Sequence, residues 1–398
     1  MRNLSDSVLQ GLRVLDFSRV LAGPFATRML ADFGAEVIKV QSLKTVKDAG
    51  YNNTGYFSTW ERNKLGITLD LSHPEGKGLA LKLVKISDIV IENFTPRVMK
   101  NLGLDYRILQ RVKPDLIMIS MSGMGQTGPW KDYTAFGETI QALSGITCLT
   151  SYAGEAPPGL NYSYADHVAG LYASLAALIA LEHRSDTGQG QYIDLSEYEA
   201  MCTLMGPAIM DGIINQKLVL PAGNNPDYGM AAPYGCYRCL GDDQWCVIAV
   251  STEEEWRALC RAMDNPAWAR GPRFSTAERR RKNSREIDKL IGQWTAGYGA
   301  EEVMVRLQAS GVAAGTVRNA RELAEDPQLA ARSFFAESSH PVLDRIRSDS
   351  NPVRLERTPA RLRRASPLLG QDNHYVYHEL LGITEAEVVR YIEEGVIF

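Results

Sequence analysis

The stretch GLRVLDFSRVLAGPFATRMLADFGAEVIKV, residues 11–40, carries the pattern that decides the fold. Leu12 to Phe17 is a short apolar run of strand length. Gly23-Pro24 opens a helix, because proline in the first turn gives up an N–H that has no partner there anyway. Phe25 to Phe33 continues the helix, Gly34 stops it, and Glu36 to Val40 is the next strand. Further along, Ile67 to Leu71 reads as extended and Pro74 opens a helix lasting to about Ile86. Ile89 to Asn93 and Leu116 to Ser120 complete the strand candidates. This alternation predicts an α/β fold, an open parallel sheet covered by helices. Ligands of such sheets lie at the strand ends, which singles out the loops Ser18–Pro24 and Asn93–Arg97.

The chain has 398 residues, a length that suits two domains. The alternation weakens after about residue 200, and Pro221 to Pro233 is rich in Gly, Asn and Pro. A hairpin follows, with Tyr237 to Leu240 and Trp245 to Val250 joined at Gly241-Asp242-Asp243. An acid-rich helix start stands at Thr252 to Glu255, and a final helix after Thr384. The expected organisation is a large domain over 1–200, a linker over 201–224 and a small α+β domain over 225–325. The segment 326–398 returns to the large domain. Arg354 to Arg364 holds five arginines, which reads as solvated surface.

With 43 basic against 47 acidic residues the net charge is −4, no general case for nucleic acid or an acidic membrane. The N-terminus has no uninterrupted apolar core of the signal-peptide kind. Val168 to Leu181 is apolar but falls short of the roughly 20 residues a bilayer requires, and reads as a buried helix. A cytoplasmic protein with no nucleic-acid or membrane partner is expected. Six cysteines are too few for a disulfide scaffold. Cys236, Cys239 and Cys246 lack a second pair, and the nearest histidines are His183 and His340, so no metal is expected.

The P-loop, GxGxxG, GxSxG and HExxH patterns are all missing, which counts against hydrolase, dehydrogenase and metalloprotease chemistry. Asp166 stands at the threshold of an Ala- and Leu-rich helix within Tyr162 to Leu181. One reading is a cap that satisfies free N–H groups. The other is a poorly hydrated carboxylate, kept ionised by the helix dipole and able to attack an activated carbonyl. Spacing does not choose between them.

Several stretches together resemble the family III CoA-transferases, a superfamily that includes α-methylacyl-CoA racemases. They are residues 11–40, RNKLGITLDL (62–71), DIVIENFTP (88–96), SGMGQTGPW (122–130), IQALSG (140–145), YADHVAG (164–170), TGQGQYIDLSEYEA (187–200) and SPLLGQDN (366–373). The resemblance implies a Rossmann-like large domain, a smaller inserted domain and an interlocked dimer. It implies that Asp166 is the catalytic nucleophile, forming an aspartyl-CoA thioester by way of mixed anhydrides. CoA thioesters and a free carboxylic acid would be the substrates, with no permanently bound cofactor. The CoA-contacting positions it implies are Leu21 and Ala22, then Leu69, Asp70 and Leu71, then Asn93, Phe94 and Thr95. Ala135 and Phe136 would lie near the catalytic carboxylate. Arg19 and Lys64 are candidates either for charge partners or for phosphate contact.

Departures from the family pattern sharpen the expectation. Gln41-Ser42 stands where relatives place a basic residue, and Asn101 with Lys100 beside it where an arginine is frequent; Lys44 and Lys47 lie nearby. The phosphate-binding set is therefore altered, or completed by another chain. Phe136 occupies the position of the racemase histidine, and His167 is a poor substitute, which favours transfer over racemisation or epimerisation. GNNPDYGMAAPYG replaces the glycine-rich loop of the formyl-CoA:oxalate type and disfavours oxalate. Phe136, Tyr162, Tyr164 and the Asn224–Tyr234 loop suggest a roomy, partly aromatic pocket for a dicarboxylic or aryl-substituted acid, with succinyl-CoA as donor. The expected assembly is a homodimer or a heteromer with a homologous subunit; a non-catalytic subunit is the remaining alternative.

Overall fold

The computed structural model describes residues 7–42, 46, 49–221, 223 and 232–398. Lys44, Lys47 and most of the Asn224–Tyr234 loop lie outside the described residues. The chain divides into two compact units. One comprises the chain up to Thr147, Gly159–Val219 and Ala330–Phe398; the other comprises Cys148–Pro158 and Leu220–Leu329.

The first unit is built on a six-stranded parallel sheet in the order β3-β2-β1-β4-β5-β6. Its strands are β1 (Arg13–Asp16), β2 (Glu36–Gln41), β3 (Lys64–Thr68), β4 (Ile89–Glu92), β5 (Ile117–Ser122) and β6 (Tyr192–Ser196). This is the doubly wound, Rossmann-like order, whose switch point lies between β1 and β4. Successive residues point to opposite faces, and both faces are covered. Leu15, Ile38, Val90 and Met118 face one core, Val14, Val37, Ile89 and Ile117 the other. That is why these strands read as continuous apolar runs.

Two strands depart from the expectation. β3 begins at Lys64 rather than Ile67, pairing Lys64 with Val37 and Thr68 with Gln41. Its first residues do not look like strand because they answer tertiary needs. Lys64 is wholly buried, and a Cβ on Gly66 would lie 2.7 Å from Pro367. β6 went unread because it alternates polar and apolar residues at the sheet edge.

Five helices position the site: α1 (Ala22–Asp32), α2 (Gly137–Ser144), α3 (Tyr164–Thr187), α4 (Glu197–Thr203) and α5 (Gly206–Ile214). In α3, Ala169, Ala173, Ala177 and Ala180 form a buried stripe in the core shared with α1 and the sheet. The opposite face corrects the expectation of a buried helix, since Leu171, Leu175, Leu178 and Ile179 are exposed. At 24 residues, α3 is the one helix among the described residues long and apolar enough to cross a membrane by length and composition.

The C-terminal tail packs on the first core through Val376, Tyr377, Ile383, Val388 and Val396. Asp70 N–H donates to the Val396 carbonyl (2.8 Å), and Gly66 N–H to Asp372 (2.7 Å). The arginine run is not all solvated. Arg363 donates to the Ala31 and Asp32 carbonyls at the end of α1, and Arg364 pairs with Asp372.

The second unit has a three-stranded antiparallel sheet, β7 (Tyr234–Arg238), β8 (Trp245–Ala249) and β9 (Ala313–Thr316). The helix Glu253–Ala262 starts on a reciprocal cap between Thr252 and Glu255. Cys239 and Cys246 belong to this unit's apolar core, and burial pushes the Cys246 thiol up to about 12.

Candidate active site

The loops at the C-terminal ends of the strands are held by a buried polar cluster. Asp16, the last residue of β1, accepts from Ser18 N–H (2.8 Å), Ser18 Oγ (2.5 Å) and Thr27 Oγ1 (2.7 Å). Lys64 Nζ lies 3.1 Å from Asp16 and 2.6 Å from Glu61, while Lys39 Nζ lies 2.9 Å from Glu61. Burial raises the Asp16 carboxyl, but the two lysines and two hydroxyls outweigh it and leave the group well below the usual carboxylate range. Lys64 is therefore spent on structure and does not reach solvent, which removes it as a phosphate contact.

This cluster fixes the turn Ser18–Leu21, which Asn93 then ties to the loop after β4. Asn93 Oδ1 accepts from Arg19 N–H (2.7 Å), and Asn93 Nδ2 donates to the Arg19 carbonyl (2.8 Å). The clamp spans the switch point of the sheet, where open α/β sheets bind ligands.

A cavity lies on each side of the clamp. The first, of 250 Å³, is mainly apolar and is lined by residues that include Phe17, Arg19, Val40, Asp70, Leu71 and Phe94. The second, of 480 Å³, lies beyond β4, β5 and β6 and includes Asn93, Phe94, Thr95, Ala135, Phe136 and Asp166. Phe94 lines both, so the two are neighbours. Of the positions singled out in the sequence, Asp70, Leu71, Asn93, Phe94, Thr95, Ala135, Phe136 and Asp166 thus reach one cavity or the other. Leu21 and Leu69 are buried and line neither. Ala22 lines neither as well, but its backbone N–H donates to Asp166.

Four helix starts meet around the second cavity. Ala22 begins α1, Gly137 begins α2, Asp166 is in the first turn of α3 and Glu197 begins α4. Asp166 is not the cap residue; Ser163 holds that position. Burial raises the Asp166 carboxyl above its ordinary value. The nearby His167 and donors from Ala22 N–H, Asp166 N–H and the Ser163 hydroxyl oppose the rise. Desolvation outweighs the donors, so the helix start and its N–H groups moderate the rise without cancelling it.

His167 sits among Phe25, Trp60 and Tyr162. Its Nδ1 lies 2.7 Å from the Ser163 carbonyl and its Nε2 3.0 Å from the Tyr162 hydroxyl. Both nitrogens are engaged, so the ring supports the Asp166 turn rather than offering a free base. Tyr162 and Tyr164 pack edge to face and do not line the cavity, whereas Tyr133 and Phe136 do. Phe136 is 69 % exposed at the rim.

Sequence reading missed three members of this site. Glu197 is buried beside Asp166; burial, then the Asp166 charge, pushes its carboxyl up to about 8. Lys131 is a cation in the same lining, and burial and the Asp166 charge push the Tyr56 hydroxyl up to about 12. Glu197 lies inside the quoted DLSEYEA stretch, and its three-residue offset from the carboxylate Asp194 gives no hint of burial. Among the described residues, His374, His378 and Glu385 are grouped closely enough to hold a cation, but they belong to the tail and line neither cavity.

The sequence model of CoA-transferase family III matches residues 9–373. The chain is 36 % identical over 388 residues to succinyl-CoA–D-citramalate CoA-transferase of Chloroflexus aurantiacus, covering 96 % of each chain. It is 33 % identical to the alpha subunit of succinyl-CoA–L-malate CoA-transferase from the same species, covering 96 % of this chain and 91 % of that one. The crystal structure of a CAIB/BAIF family protein from Brucella suis superposes with a TM-score of 0.87 at 28 % identity, covering 94 % of this chain and 100 % of that one. With its parallel sheet, its cavities at the switch point and a family match over nearly its whole length, the chain belongs to CoA-transferase family III and is a CoA-transferase.

Proposed function

We propose that Asp166 is the nucleophile of a CoA transfer from a succinyl-CoA donor to a dicarboxylic acid. The observation that carries this reading is the Asp166 carboxylate itself. It is half-buried in the cavity, oriented by two backbone N–H groups and one hydroxyl, with the helix starts around it. A carboxylate stripped of water but fixed by donors is a stronger nucleophile than one in bulk solvent.

An Asp166 oxygen attacks the thioester carbonyl of the donor, the C–S bond breaks, and CoA leaves as thiolate. The thiolate then attacks the Asp166 γ-carbonyl of the mixed anhydride, forming an aspartyl-CoA thioester and releasing the donor as carboxylate. An acceptor carboxylate attacks that thioester and expels the thiolate again. Attack of the thiolate on the acceptor carbonyl gives the new acyl-CoA and restores the Asp166 carboxylate. No net proton is consumed, and the thioester energy is conserved in every intermediate. The first cavity, apolar and bordered by Arg19, suits the nucleotide end of CoA. The second suits the acyl end.

The donor and acceptor classes come from the relatives, whose names pair succinyl-CoA with citramalate and with malate. The exposed apolar faces of α3 and α5, with Leu175, Ile179, Ile213 and Ile214 outward, support assembly with a second copy or a homologous subunit.

Incubation with succinyl-CoA, followed by intact-protein mass measurement, tests the reading. The wild type should gain a CoA adduct that hydroxylamine removes, and Asp166→Asn and Asp166→Ala should gain none and lose turnover. Undiminished transfer by either variant would refute it.

A further inference from the structure

Glu197 is a carboxyl that the transfer chemistry does not use. It is 7 % exposed, lines the acyl cavity together with Asp166, and among the described residues no hydrogen bond to its carboxyl offsets the effect of burial. The backbone around it is firmly held: Tyr198 N–H donates to the Gly123 carbonyl (2.9 Å), and Ser196 Oγ caps α4 by accepting from Glu199 N–H (3.2 Å). A buried polar group is normally satisfied, and leaving one unpaired costs free energy. An unpaired group turned into a binding cavity is one whose partner arrives with the ligand.

We propose that Glu197 is the specificity-determining residue of the acyl cavity, hydrogen-bonding a hydroxyl or second carboxyl group of the substrate acid. This rests on the reading that Asp166 is the acylated residue, which places the acyl group in the same cavity. The chemistry suits such acids. Burial and the neighbouring Asp166 charge favour the protonated form of Glu197. Its O–H can then donate to a substrate carboxylate and its C=O can accept from a substrate hydroxyl. A neutral partner also avoids placing a third negative charge between Asp166 and a dicarboxylate. A plain aliphatic acid would leave Glu197 desolvated and unpaired, the situation in which a polar site rejects an apolar analogue strongly.

The test uses the full chain in its native assembly and three acids of equal length: malate, succinate and butyrate. Selectivity is read as kcat/KM, or as the competitive inhibition constant for any acid that is not turned over. Glu197→Leu should weaken malate and succinate by about 10- to 100-fold, chiefly through KM, while improving butyrate, whose bound state no longer leaves a carboxyl unpaired. Glu197→Gln, which keeps hydrogen-bonding capacity, should retain most of the preference. An equal loss for all three acids would assign Glu197 to general stabilisation of the reacting centre and overturn the proposal. So would unchanged selectivity, or a wild type that shows no preference over butyrate. The CoA adduct separates the two readings: if it forms in Glu197→Leu but selectivity is unchanged, this inference fails and the nucleophile stands. If it is missing from the wild type, the nucleophile reading itself fails.

Discussion

Gly137 and Asp166 are matched in shape: a methyl group on Gly137 would lie 2.5 Å from Asp166 Oδ2 and 2.9 Å from Ser163 Oγ. The first residue of α2 thus leaves the space that the carboxylate occupies. The requirement is for volume, since the backbone there is not left-handed. Gly137→Ala should displace the carboxylate by several tenths of an ångström or more. It should lower kcat about 100-fold, the usual scale for such a misplacement, with little change in Tm. Steady-state kinetics beside a thermal melt checks this; full activity would show that the carboxylate can work elsewhere.

Asn93 joins the loops after β1 and β4 through both its amide atoms. Asn93→Ala removes two hydrogen bonds and should cost about 1–3 kcal/mol of stability. Because the clamp borders both cavities, KM for the acyl-CoA should rise more than kcat falls. Denaturant titration together with KM measurements would decide it, and an unchanged KM would relegate the clamp to folding alone.

Burial pushes the Glu92 carboxyl from 4.5 up to about 7, with Ser120 and the Phe94 N–H opposing the rise. Between those two values the unfolded chain has released this proton while the folded chain retains it. Stability from this group therefore falls as pH rises through the window and is level above it. Glu92→Gln should accordingly be more stable than the wild type at pH 8, by roughly 3 kcal/mol at most, and nearly equal to it at pH 4. Urea midpoints at the two pH values provide the measurement. A larger gain at acid pH would reverse the sign and contradict the assignment.

Leu175 and Ile179 are exposed on α3, 52 % and 59 % respectively. A single chain in isolation would tolerate charge there. If this face is covered by another subunit, Leu175→Arg with Ile179→Arg should buries two cations against apolar surface and lower the native mass. Light scattering gives the answer; an unchanged oligomer would mean the partner sits elsewhere.

The sequence by itself determined the repeating strand and helix units, because strands buried on both faces must be apolar throughout and helices between them must cap and stop. Val14-Leu15, Val37-Ile38 and Ile89-Val90 were legible for that reason. It also marked Asp166, since the family stretches occur in consistent order around it. What it could not reveal were groups whose role comes from distant neighbours. Sequence leaves Lys64 open as charge partner or phosphate contact, and the fold decides for the former by enclosing it with Asp16 and Glu61, brought to it from β1 and from the helix Gly55–Glu61. Nothing in the sequence singles out Glu197, which is desolvated beside Asp166 because α4 packs its first turn against the cavity. Local pattern records which face of an element is apolar, but the charge and solvation of a side chain depend on what the fold places opposite it, and only the tertiary structure decides that.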